Sequence, residues 1–138
     1  MTRKLRNRLI LVLVLLVDCC SVSPRCGAQA TTEESQIVGI WRGHSACMVK
    51  ESSCHDEVNV YRISKIVRKQ GLVSVAGSKI VDGQEIVMRT FEWKYDRQKR
   101  VLESPDGAFR FALDGDKLEG TLTKDKSVFR RIHLKKQE

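Results

Sequence analysis

Residues 105–122, PDGAFRFALDGDKLEGTL, contain the pattern that decides the fold. Phe109, Phe111 and Leu113 alternate with small or polar residues, and this period of two is typical of a half-buried β-strand. An Asp-Gly pair at 114–115 is a tight-turn signal, and a second alternating segment follows it directly. The stretch therefore predicts two short antiparallel strands joined by a turn.

The same pattern of short apolar runs and turn signals continues in both directions along the chain. Further strands are predicted at 37–49, 58–63, 72–81, 85–95, 100–103 and 128–134. About eight or nine strands at this spacing predict an all-β, single-domain antiparallel meander that forms a barrel or a strongly curved sheet. Pairing of the first strand with the last would remove the exposed edges. A helical turn within 61–70 stays open, because its apolar residues fit both periods.

The first thirty residues have the order of a secretory signal peptide. A basic start precedes an unbroken apolar run at 9–17, and small residues end at Ala30. The apolar run is shorter than the roughly 20 residues of a membrane-spanning helix. We therefore predict a cleaved leader at 1–30, a flexible segment at 31–36 and a β-barrel-like domain at 37–138. A retained anchor, a lipid-modified cysteine and cleavage after Ser21 are the alternatives.

The predicted leader places the mature chain outside the cytoplasm, either secreted or periplasmic, without a transmembrane anchor. Its removal leaves 20 basic and 16 acidic residues, so the net charge falls from +8 to +4. This mild excess is spread along the chain, and it does not predict nucleic-acid binding. About 108 residues can form one domain with a marginal core, which a covalent cross-link would stabilise.

Two cysteines, Cys47 and Cys54, remain after the leader, and an oxidising compartment predicts that they form a disulfide. Closing this short loop should stabilise the fold by about 2.5 kcal/mol. The alternative is a tetrahedral zinc site completed by His44 and His55. That spacing matches no recognised zinc finger, and export favours oxidation of the thiols, so we predict no metal and no cofactor.

Catalytic patterns are weak in this sequence. The run His55-Asp56-Glu57 could supply an acid–base pair, but a solvated loop explains it as well, and no nucleophile motif accompanies it. We therefore predict that the protein is not an enzyme. The densest basic stretch, 130–136, fits the outer face of an edge strand, where charge discourages aggregation. The alternative is contact with anionic glycans or lipid head groups.

The residues Gly39-Ile40-Trp41 match the G-x-W pattern that opens the first strand of calycins, and in this respect the chain resembles lipocalins and fatty-acid-binding proteins. The resemblance implies a lipocalin-like barrel in which Trp41 plugs one end and an arginine of the last strand packs over it. Alternation places Arg130 on the same face as the apolar residues of that strand, which makes Arg130 the expected partner. Residues 39–47 also resemble small secreted bacterial proteins of unassigned function.

The resemblance to calycins further implies that a small apolar ligand could bind inside the barrel. Inward positions inferred from the alternation would line such a cavity: Trp41, Val58, Val60, Ile86, Met88, Phe109, Phe111 and Leu122. The first hypothesis is an exported, non-enzymatic binding domain. The alternative is a structural or interaction protein of the cell envelope whose core is filled by its own side chains.

Overall fold

The computed structural model describes residues 34–50 and 53–138, in which eight strands form one closed antiparallel barrel. The elements are a helical turn α1 (Glu34–Ile37) and the strands β1 (Gly39–Cys47), β2 (Glu57–Lys65), β3 (Leu72–Val81), β4 (Gln84–Asp96), β5 (Val101–Glu103), β6 (Phe109–Asp114), β7 (Lys117–Lys124) and β8 (Ser127–Lys136). The predicted all-β meander and its lipocalin-like closure are confirmed. No helix in the described ranges is long and apolar enough to cross a bilayer.

Three expectations from the sequence concern the leader at 1–30, the segment 31–36 and the helical turn within 61–70. The predicted leader at 1–30 lies outside the described residues, and so does the first half of the segment 31–36. The described part of that segment, 34–36, belongs to α1. The helical turn considered within 61–70 gives way to β2, which continues to Lys65.

Each strand pairs with its neighbour in the chain, and β8 closes the ring by pairing with β1. The register of this closing pair runs from Trp41 opposite Lys136 to Cys47 opposite Arg130. Because β1 and β8 each have a strand on both sides, neither presents a free edge.

One half of the barrel, hereafter the closed half, is filled by large apolar side chains. Trp41 is fully buried there, and its indole N–H donates to the carbonyl oxygen of Ile37 over 2.8 Å. The ammonium group of Lys136 lies 5.4 Å from the centre of the Trp41 ring and donates to the Gln36 carbonyl over 2.7 Å. Burial lowers the pKa of Lys136. These contacts fasten α1 across the end of the barrel.

The other half, hereafter the open half, has an incomplete wall. β5 has three residues and pairs with β4 only at Lys94, Tyr95 and Asp96. Within the described residues, the earlier part of β4 (84–93) therefore has a strand partner on its β3 side alone. A register shift after Gly77 bends this hairpin further, as β-bulges do. The barrel is thus split between β4 and the connection from β5 to β6.

The disulfide between Cys47 and Cys54 is confirmed, with the two Cα atoms 5.9 Å apart. It links the end of β1 to the segment before β2. The backbone N–H of Cys47 also donates to Asp56 Oδ1 over 2.8 Å, so a hydrogen bond closes the same loop beside the covalent bond.

Replacing both cysteines (Cys47→Ser with Cys54→Ser) should lower the free energy of unfolding by about 2.5 kcal/mol, because the unfolded chain regains the freedom that the closed loop removes. Equilibrium denaturation with urea measures this difference. The wild-type protein under reducing conditions should lose a similar amount, and an unchanged midpoint in both cases would contradict the assignment.

Gly43 is required by the close approach of β1 and β8. A Cβ built on Gly43 would overlap the His133 carbonyl oxygen and lie 2.8 Å from Leu134 Cα, and both of these are backbone atoms. Gly43→Ala should therefore destabilise the protein by about 2 kcal/mol, since the strands must separate to admit the methyl group. Thermal denaturation measures the effect. Ser64→Ala, an exposed change on β2, is the control and should stay close to wild type.

Candidate ligand site

The split in the open half exposes an aromatic cluster that spans β4 and β6. Trp93 is at its centre, with ring centroids of Phe91, Phe109 and Phe111 at 5.8, 5.1 and 5.9 Å. The Phe109 and Phe111 rings stack on Trp93, with angles of 28° and 22° between the ring planes. Tyr61 meets the inner edge of the indole at 6.1 Å. The cluster therefore reaches from the filled closed half to the split wall.

Burial differs across this cluster. Trp93 and Phe111 are each 1% exposed, while Phe91 and Phe109 are half-buried and pack against the core. The half-buried rings face a cavity of about 230 Å³ that Phe91, Trp93, Ser104, Pro105, Asp106 and Phe109 line. We call this cavity the aromatic cleft. Flat aromatic faces beside an accessible cavity favour a ligand that contains a ring.

The connection from β5 to β6 forms one wall of the aromatic cleft and is held by a compact set of hydrogen bonds. Ser104 Oγ donates to Asp106 Oδ1 over 2.5 Å and accepts from the Phe109 N–H over 2.9 Å. Asp106 Oδ1 also accepts from the Ala108 N–H over 3.1 Å. The Ser104 hydroxyl, followed by the Ala108 N–H, lowers the pKa of Asp106. The cleft therefore has a rigid wall and an ionised carboxylate at its rim.

A cation lies on the opposite wall of the split. The Arg89 guanidinium carbon is 5.7 Å from the centre of the Phe91 ring. A guanidinium in this position is attracted by the aromatic face and can also donate hydrogen bonds to a polar group of a ligand. The aromatic cleft thus has a carboxylate, Asp106, in its lining and a guanidinium, Arg89, against one of its lining rings.

The interior of the open half is polar on the side of β1, β2 and β8. The Arg130 side chain, 12% exposed, lies 3.4 Å from Glu57 Oε1 and donates to the carbonyl oxygens of Ser45 and His55 over 3.3 and 3.1 Å. Burial raises the pKa of Tyr61, and the nearby positive charge of Arg130 offsets part of this rise. These contacts join β8 to both sides of the disulfide loop.

The predicted pairing of Trp41 with Arg130 does not form. Arg130 faces inward as alternation indicates, but its register partner is Cys47, at the far end of β1 from Trp41. Lys136 occupies the position over the indole instead. The five residues between Arg130 and Lys136 place Arg130 in the open half, so it fastens the disulfide loop instead of the closed end.

The predicted lining residues separate into four groups. Phe109 lines the aromatic cleft, Leu122 is half-buried against the core, and Trp41 and Phe111 are buried in the packed interior. Four others need correction, because they neither belong to the packed core cluster nor line the aromatic cleft: Val58, Val60, Ile86 and Met88.

Pairing register and the short β5 explain these four positions. Val58 and Val60 pair with His44 and Arg42, and so lie on the strand face opposite to that of Tyr61, although Val60 is 3% exposed there. Ile86 and Met88 are 46% and 49% exposed, since they belong to the part of β4 that β5 does not cover.

Of the six residues that line the aromatic cleft, only Phe109 is among the predicted site residues, and the aromatic residues Phe91 and Trp93 are not. A signal for them exists in the sequence, because Phe91, Trp93 and Tyr95 alternate within the predicted strand 85–95. The alternation indicates an inward face, but only the shortness of β5 leaves two of these rings beside an open cavity.

Within the described ranges, no three His, Cys, Asp or Glu side chains gather to hold a metal ion. The two cysteines of the zinc alternative are joined to each other. His55 Nδ1 lies 3.1 Å from the Ser53 carbonyl oxygen, which leaves it in the loop before β2. His133 Nδ1 lies 3.6 Å from Glu119 Oε1 on the outer surface, where both side chains are more than half exposed.

Ser104→Ala should loosen the wall of the aromatic cleft, because the Phe109 N–H loses its acceptor and Asp106 loses its strongest donor. We expect the pKa of Asp106 to rise toward the ordinary value of about 3.9. A carboxylate whose pKa is lowered in the folded protein stabilises the fold. This stabilisation is present at a pH above the pKa of the unfolded chain, and it is lost as the pH falls through the folded pKa. The free energy of unfolding of the variant should therefore change less with pH in the acid range.

An NMR titration of the aspartate side chains measures this change. Asp96 is the internal control, since the backbone N–H of Lys99 lowers its pKa in a different turn. An Asp106 pKa that is equal in the two proteins would contradict the assigned hydrogen bonds.

Comparison with known proteins bears on the fold. No family model matches the chain, and no curated protein matches it in sequence. Among solved structures, the chain is similar to Ex-FABP, a siderocalin described as functioning through dual ligand specificities. The two are 16% identical with a TM-score of 0.50, over 75% of this chain and 71% of that chain. This likeness and the closed eight-stranded antiparallel barrel identify the fold as lipocalin-like.

Proposed function

We propose that this protein is an exported, non-enzymatic domain that binds a small, mainly apolar ligand in the aromatic cleft. The observation that carries the proposal is the three-residue β5, which leaves the half-buried rings of Phe91 and Phe109 beside a cavity. A sheet wall of full length would cover these rings. The described disulfide supports export, because such bonds persist in oxidising compartments.

The size and chemistry of the cleft restrict the ligand. A cavity of about 230 Å³ is smaller than the roughly 300–1,000 Å³ of typical drug-sized sites. It fits a ligand of one or two rings, or the ring-bearing end of a larger molecule. Stacking against Phe109 and Trp93 would orient a flat ring, and Arg89 or Asp106 could bind a polar substituent at the rim.

The lipocalin-like fold supports this proposal, since the similar solved structure belongs to a siderocalin described by its ligand specificities. In this chain, however, the closed half is filled by its own side chains. A ligand would therefore bind at the split in the wall and not deep along the barrel axis.

The filled closed half also supports the alternative, an interaction protein of the cell envelope. Under that alternative the core only supports the outer surface, and a small apolar molecule should not bind stoichiometrically. The two functions therefore differ in whether the aromatic cleft takes up a ligand.

Binding of N-phenyl-1-naphthylamine, an uncharged apolar dye, tests the proposal by fluorescence titration. We expect saturable binding, and Phe91→Ala should weaken it by about tenfold, because one face of the cleft is lost. Phe129→Ala is the matched control, since Phe129 is also half-buried but lies on β8, beside Lys124 and Arg130.

Absence of saturable binding, or equal weakening by the two alanine variants, would overturn the assignment of the cleft. Circular dichroism of each variant establishes that the loss does not come from unfolding. Native mass spectrometry of the exported protein then shows whether a small molecule accompanies it.

A further inference from the structure

The outer face of β8 is basic, and protection of an exposed sheet edge does not explain this charge. Lysine and arginine on an edge strand discourage aggregation, which is the role that the sequence favoured for 130–136. β8 is not an edge, because it pairs with β1 on one side and with β7 on the other. Protection of an edge therefore does not account for the exposed basic side chains of this strand.

Three cations form one row across the outer surface. Arg42 of β1 is the direct partner of Lys135, and Lys135 is the direct partner of Lys117 on β7. Like charges directly opposite each other on neighbouring strands destabilise a sheet. Asp116 compensates in part, with its Oδ2 3.5 Å from Lys135 Nζ. We call these three residues the cationic row.

A second row lies beside the cationic row on the same face. His44 pairs directly with His133, and His133 pairs with Glu119. The imidazoles add hydrogen-bond donors, and Glu119 is the one acidic side chain among the residues that line the surface between the two rows. Arg42 also interacts electrostatically with Glu85, which already pairs with Arg62. Among the residues that line the surface itself, three cations and two imidazoles face a single carboxylate.

This surface is concave. Arg42, His44, Lys117, Glu119, His133 and Lys135 line a groove of about 610 Å³, whose remaining lining comes from Gly43, Val58, Leu134 and Gln137. Gly43, one of the lining residues, lies where β1 and β8 approach each other closely. The volume is in the range of small-molecule sites.

We propose that this groove binds a small ligand that carries two or more anionic groups, phosphate or carboxylate. Such a ligand would neutralise the cationic row and accept hydrogen bonds from its guanidinium and ammonium groups. An acidic peptide fits less well, because β1, β7 and β8 are paired on both sides and offer no backbone edge to an added strand. The site is separate from the aromatic cleft, so it does not depend on the function proposed there.

Isothermal titration with inorganic pyrophosphate, and in a second arm with citrate, tests the proposal. At low ionic strength, about 20 mM NaCl, we expect saturable binding of one or both anions that weakens as salt is added. Arg42→Gln and Lys117→Gln should each reduce the affinity about fivefold. Lys126→Gln, which removes the same charge from the turn between β7 and β8, should change it less than twofold.

A second measurement separates binding from a structural role. Without ligand, Lys117→Gln should have a melting temperature equal to or above that of the wild type, since it removes one member of a repulsive row. Absence of saturable binding of both anions would overturn the proposal, and so would equal weakening by the Lys126 control. A large loss of stability in Lys117→Gln would show that the row serves the fold.

Discussion

The pairing of β8 with β1 is the constraint on which the rest of this structure depends. It converts a meander of short strands into a ring, and it removes the two edges that a chain of this length would otherwise expose. It also sets the positions of the two basic side chains that reach back to β1. Lys136 covers Trp41 at one end, and Arg130 fastens the disulfide loop at the other.

Within this ring, the two halves of the interior differ because the strands differ in length. β4 has thirteen residues and β5 has three, so their ladder covers only the end of β4. Where the ladder is present, side chains from all sides fill the interior. Where it is absent, the aromatic rings have no wall beside them, and a cavity replaces the packing. The aromatic cleft is therefore a consequence of one short strand.

The outer surface has a different basis. In a closed barrel, the residues that face outward on adjacent strands form rows across the sheet, and the register decides which side chains share a row. Here the register brings Arg42, Lys135 and Lys117 together from three strands, although they are far apart in the sequence. A row of like charges has an electrostatic cost in the free protein. That cost and the concave shape are the basis for inferring an anionic ligand at this surface.

The sequence by itself determined the fold class, the approximate strands and the disulfide. Each of these follows from local information: alternation of apolar residues, turn signals such as the Asp-Gly pair at 114–115, and the short spacing of Cys47 and Cys54 in the chain. The inward direction of Arg130 also follows from alternation within a single strand. The calycin G-x-W pattern correctly indicated a buried Trp41 on the first strand.

Only the tertiary structure decided which residues meet. Register between distant strands placed Lys136 over Trp41, where the sequence predicted Arg130. It also placed Val58 and the buried Val60 on the strand face opposite to that of Tyr61. The uncovered part of β4 exposed Ile86 and Met88 and opened the cavity beside Phe91. The physical reason is that alternation shows which residues of a strand share a face, but not which face points inward. Pairing between strands, and the point at which it ends, settles that direction.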